Sequence, residues 1–172
     1  MKETTPLAKH FAPDTPNRLE RAAELRHNDA LVLMKKGNRL GALYLLGHSA
    51  EMCLTAAYFR AVGFSAMTVI DRDIRRQHMA RARNLIGEDG LALMNSDPHP
   101  IVGWARFLRY QRSASKLSKR QAQHLDEGIA KAELIYKHWR PELRYKIADV
   151  TKAQLGEAVA ASAWFLEQRG RL

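Results

Sequence analysis

The 172-residue chain carries a single cysteine, Cys53. One thiol cannot close an internal disulfide, and zinc sites built on thiolates need several, so neither kind of staple is available. Cys53 falls inside an apolar run, where cysteine behaves as a small hydrophobe. Long apolar runs are missing too. No stretch approaches the roughly 20 apolar residues of a membrane span. The opening segment, MKETTPLAKHFAPDTP, has no apolar signal core. The expectation is a cytoplasmic protein with no membrane association. No strand-type alternation and no internal repeat occurs. Negative charge is scarce where it would matter most: no acid stands between Asp97 and Asp126.

What is present is a basic, ordinary-sized globular chain. Apolar residues make up 46% and the formal net charge is +10. The length suits one domain with a proper core. A balance this basic favours an acidic partner, most often nucleic acid or nucleotide.

The punctuation marks predict helices throughout. Residues 1–15 carry Pro6 and Pro13 without periodicity and read as a flexible arm. Thr15-Pro16 is a cap followed by proline in the first turn, and the apolar period then runs to Gly37. Gly37-Asn38 turns the chain into a second helix that ends at Gly63, so the two are antiparallel neighbours. Asp71 caps a third helix running to about Ile86. Residues 88–100, EDGLALMNSDPHP, are turn-rich. A fourth helix starts near Ile101. Ser118 to Gln121 and Thr151 to Gln154 are capping boxes that open two more, with Pro141 between them. The fourth and fifth also read as one long bent helix, weakened at Ser113, Ser115 and Ser118. The fold class expected over residues 16–172 is all-α, an up-and-down bundle of five to six helices.

The second helix, Gly41 to Phe64, is apolar on nearly every side yet holds a polar seam. Tyr44, His48, Glu51, Thr55 and Tyr58 follow at three- or four-residue steps and line one face. A helix apolar all round lies inside a domain, and Glu51 lies there with it. A buried carboxylate is costly without a partner, so Glu51 needs one.

Two segments resemble a known family. GALYLLGHSAEMCLTAAYFRAVGF is similar to the second helix of HEPN domains, and Trp139-Arg-Pro-Glu-Leu-Arg144-Tyr145 resembles the Arg-Tyr segment before their last helix. The resemblance covers roughly residues 17–169. It implies a helical bundle that often dimerises, and either nucleotide binding or metal-independent RNA cleavage. It also implies that Arg144 is the counter-charge of Glu51, a role that suits the planar guanidinium. Two departures stand out. Thr55 replaces a lysine common in the family. The Arg, four to six residues, then His motif of the ribonuclease members is absent from RPELRYKIADVT.

Candidate sites follow. His48 and Glu51, one turn apart, suit a general base held by a carboxylate, two metal ligands, or two groups satisfying each other. No third or fourth ligand stands at readable spacing, so no metal and no cofactor is expected. Arg72 and His78 have the nuclease spacing but sit in the third helix, and Arg21 and His27 repeat it in the first. With 18 arginines and 7 histidines such matches arise by chance. Arg106, Arg109, Arg112, Lys116, Lys119 and Arg120 fall within roughly 140° of arc on a continuous helix. With no acid nearby in sequence, they form a candidate phosphate-binding stripe. Arg75 and Arg76 belong to a second, smaller cluster.

The leading expectation is a non-catalytic HEPN-like module that binds nucleotide or RNA as a homodimer. One alternative is a toxin-type HEPN ribonuclease working with a nucleotidyltransferase-type partner. The other is a structural, partner-binding helical protein.

Overall fold

The computed structural model describes residues 14–145 and 149–172; the side chains of Arg144 and Tyr145 lie outside that description. Six helices follow one another: α1 (Pro16–Lys35), α2 (Arg39–Ala61), α3 (Arg72–Arg83), α4 (Ile101–Ser113), α5 (Lys119–His138) and α6 (Lys152–Gln168). A short 3-10 turn, Pro141–Tyr145, precedes the last. The only β feature among the described residues is an isolated bridge between Ile86 and Ala92. The all-α bundle expected from the sequence is the fold observed.

Helix starts are set by side-chain caps. Thr15 accepts from the Arg18 amide, Asn38 from Gly41 and Asp71 from Ile74. Both predicted capping boxes are formed, at Ser118 with Gln121 and at Thr151 with Gln154. Each satisfies two amides that the first helical turn leaves open. Gly37, at φ 80°, takes the left-handed turn that folds α2 back along α1. The α4–α5 question is settled as two helices, because residues 114–118 leave the helical path.

Helix α2 is the axle, packed by α1, α4, α5 and α6. Its buried residues include Leu43, Leu46, Ala50, Cys53, Leu54, Ala57 and Phe59. One copy of the chain therefore covers α2. Trp104, Trp139, Tyr58, Phe107 and Phe165 fill the core around it. Cys53 is 1% exposed, and burial pushes its thiol up to about 12. It is an inert core residue.

One contact positions the site below. The Trp139 indole lies against the α2 backbone at Gly47, where a Cβ would fall within the ring. Its Nε1 donates to the Tyr44 carbonyl at 3.0 Å. Glycine is needed at 47 because nothing larger lets the indole approach this closely.

Candidate functional site

Glu51 is 3% exposed on the core side of α2 and its carboxylate is shared by three cationic or protonatable groups. Arg75, from α3, donates Nη2 to Oε1 at 2.8 Å. His99 places Nδ1 2.9 Å from Oε2. His48, one turn earlier on α2, stands farther off, with Nδ1 3.6 Å from the same oxygen. Burial alone raises the carboxyl pKa, but His48, His99 and Arg75 outweigh burial and carry it down to about 2. The Glu51 contact in turn raises His99 above its ordinary value against the opposing effect of burial. The cluster is a satisfied, ionised centre.

The supports are specific. His99 lies between Pro98 and Pro100, and its amide donates to Asp97 Oδ1 at 2.8 Å. The Tyr136 hydroxyl, from α5, donates to Asp97 Oδ2 at 2.9 Å. Trp139 and Tyr44 both stand edge-on to the His48 ring, at 5.2 and 4.6 Å. Arg75 also lies over the Trp104 ring, 5.8 Å from its centre. The side chain of His99 keeps 36% of its surface in solvent, that of Arg75 29% and that of His48 17%. The centre is rooted in the core and opens at one edge.

The expected Arg144 partner lies on a side chain outside the described residues. The partners found are Arg75, assigned from sequence to a phosphate-binding cluster, and His99, missed altogether. The signal for His99 was its place between two prolines after an aspartate, which fixes a turn. Nothing local told which helix that turn would face.

The lower half of the polar seam has a different fate. The Tyr58 hydroxyl and His78 Nδ1 share a hydrogen bond of 2.6 Å. Burial, then the charge of Arg81, holds His78 below its ordinary value. Its ring packs against Phe59 and Phe64. Arg72, six residues earlier and about 120° away around the helix, is exposed. The two do not meet. His27 is likewise buried against Ser162 Oγ at 3.0 Å while Arg21 is exposed. Neither spacing brings its arginine and histidine together within the described chain.

The basic stripe is broken into two unlike parts. The first corrects the expectation that it lacks counter-ions. Arg106 meets Glu133 at 3.3 Å and Arg109 meets Asp126 at 3.0 Å, both acids coming from α5. Acids distant in sequence fold onto the arginines. A neighbouring cavity of about 160 Å³ is lined by these arginines and by Glu88, Asp89 and Asp126. In the smaller cluster, Arg76 stands exposed, 3.6 Å from Asp73.

The second part lies beyond the α4–α5 break. Arg112, Arg120 and His124 line a cavity of about 820 Å³ together with Arg171, Gly170 and Leu172 from the chain's last residues. Among the described residues Glu127 is the only acidic side chain on its wall. Arg112 donates Nη2 to the main-chain oxygen of Leu172 at 2.6 Å, while Arg112 Nε and His124 Nε2 are buried with no partner among the described residues. A second hollow of about 280 Å³ shares Arg112, Gly170 and Leu172 and adds Arg169 and the ion pair of Arg60 with Glu20. Lys116 and Lys119 are exposed beside the break. Exposed arginines around one cavity suit an anionic ligand.

No protein-family model matches the chain, nor does any curated protein or solved structure. No helix among the described residues is long and apolar enough to cross a membrane.

Proposed function

We propose that the chain is a non-catalytic, HEPN-like module that binds a nucleotide or RNA, with phosphate held in the cavity beside the α4–α5 break. The observation that carries this reading is the unpaired polar lining of that cavity. Arg112, Arg120, Arg171 and His124 face it against one acid, with Arg112 Nε and His124 Nε2 buried and unbonded. A phosphate in the cavity pairs with the exposed guanidinium groups of Arg120 and Arg171 and relieves the repulsion among the arginines. The size of the cavity admits a nucleotide, within the range usual for small-molecule sites. The separation of Arg72 from His78 lends the ribonuclease alternative no support.

Pairing of two copies is the second part of the proposal. It rests on Leu25 and Val32 of α1, 61% and 56% exposed and two turns apart on one face. Cytoplasmic placement rests on the missing apolar signal core and the lone cysteine, and a nucleotidyltransferase-type partner on the resemblance.

The test is a titration of the purified protein with single-stranded RNA and with nucleoside triphosphate across a salt series. Affinity falls steeply as salt rises, because phosphate contacts release counter-ions. The RNA is recovered uncut. Absence of binding in low salt overturns the reading, and cleavage returns the ribonuclease.

A further inference from the structure

We infer that His48, Glu51 and His99 form a binding site for one divalent transition-metal ion of the zinc type, with two imidazole nitrogens and one carboxylate oxygen as ligands. The site is independent of the phosphate cavity. Its argument is geometric. One potential ligand atom from each residue lies within 4.8 Å of the others. The two imidazole Nδ1 atoms approach the same oxygen, Oε2, at 2.9 and 3.6 Å. Ligands about 2.0–2.1 Å from a tetrahedral ion stand about 3.3 Å from one another. Two of the three separations are close to that, and rotation of an imidazole brings the third, within 4.8 Å, to the same value. Two histidines and one glutamate, with a fourth position left to water, is an established zinc donor set. The nitrogen ligands select a transition ion over Mg²⁺ or Ca²⁺, which take oxygen.

The surroundings fit a metal better than a simple ion pair. A carboxylate balanced by Arg75 needs no imidazoles, yet two are aimed at its other oxygen. Arg75 holds Oε1 at 2.8 Å and so fixes the direction of Oε2, as outer-shell hydrogen bonds do at metal centres. His48 and Glu51 ride on one turn of a packed helix. His99 is fixed by its flanking prolines and by Asp97, which Tyr136 anchors in turn. The Asp97 carboxylate adds negative charge beside His99, offsetting the cation of Arg75. The exposed edge of His99 leaves a way in. Binding replaces the imidazole protons at Nδ1 with the ion and releases them to solvent.

The experiment uses the full chain, freed of metal by chelator and dialysed. Zn²⁺ is titrated calorimetrically, and Co²⁺ is followed by its visible absorption and by quenching of tryptophan fluorescence, since Trp139 stands 5.2 Å from His48. One ion per chain is expected, with the intense visible bands of four-coordinate Co²⁺. His99→Ala, on an irregular segment and half-exposed, is expected to stay folded and bind at least about a hundredfold more weakly, a ligand mattering more than an outer-shell partner. His48→Gln gives the same loss. His138→Ala, a histidine remote in sequence from all three ligands, leaves binding unchanged. A melting temperature raised by Zn²⁺ in the parent and not in His99→Ala is the second readout. The inference is overturned if Zn²⁺ gives no heat at micromolar concentrations. It is equally overturned if folded His99→Ala and His48→Gln bind as the parent does.

Discussion

Two regions of this molecule gather cations, and they do so under opposite rules. Around Glu51 the charges are drawn to one buried carboxylate, and each has a partner within the fold. Around the α4–α5 break the cations outnumber the acidic side chains, and two buried nitrogens have no hydrogen-bond partner among the described residues. The first arrangement is what a core requires, since an unpaired buried charge is costly. The second is tolerable only near the surface, where water or a ligand completes the hydrogen bonds. Helix α4 carries both kinds of arginine within two turns: Arg106 and Arg109 are closed off by α5, and Arg112 faces the cavity. Local composition is the same for all three. Which acids fold across from them decides their use.

The comparison breaks most readily at Glu51. Replacing Glu51 by Ala leaves Arg75 and His99 without their carboxylate, and removing one partner of a buried pair typically costs about 3–5 kcal/mol. Chemical denaturation should show a clearly lower midpoint. An unchanged midpoint contradicts the burial of the centre.

Acid sharpens the same point. The folded-state pKa of Glu51 is about 2, below its ordinary value of 4.5. A depressed carboxylate contributes stability that is complete above its unfolded value and is lost as pH falls through the folded one. Unfolding free energy should therefore drop between about pH 4.5 and 2. In Glu51→Gln that part of the pH profile should flatten. A profile of unchanged slope refutes the assignment.

Gly47→Ala tests the wall of the centre. The new methyl group meets the Trp139 indole, and overpacking of this kind costs about 1–3 kcal/mol. Tryptophan emission should shift with the displaced ring, and a variant as stable as the parent would show that Trp139 lies elsewhere. The smallest effect is expected on the closed part of α4. Arg109→Ala loses a surface ion pair worth about 0.2–1 kcal/mol, so its melting curve should nearly overlay that of the parent.

The helices were readable because their signals are local. A cap lies three residues from the amide it satisfies, and Thr15, Asn38, Asp71, Ser118 and Thr151 all cap where such spacing allows. The burial of Glu51 was equally readable, from an apolar helix around it. Its partners were not. Arg75 is 24 residues away and His99 48, and each arrives through the packing of a separate segment. The stripe on α4 misled for the same reason. Asp126 and Glu133 lie 17 and 27 residues beyond the arginines they neutralise. The arc drawn on a continuous helix also failed once residues 114–118 broke it. Pattern along the chain shows which side chains share a face, and tertiary pairing decides what that face meets.

The central claim is that the unpaired cations bind phosphate and the paired ones do not. Two charge-matched double variants measure it directly: Arg120→Ala with Arg171→Ala in the cavity, and Arg106→Ala with Arg109→Ala on the closed face. Both remove two positive charges, so general electrostatics falls equally. Single-stranded RNA binding is followed across a salt series for each. The cavity variant should bind weakly and lose roughly 1.4 from the log–log salt slope, at about 0.7 per phosphate contact on a single strand. The closed-face variant should keep the slope of the parent. Equal losses in the two variants, or a larger loss on the closed face, would contradict the account.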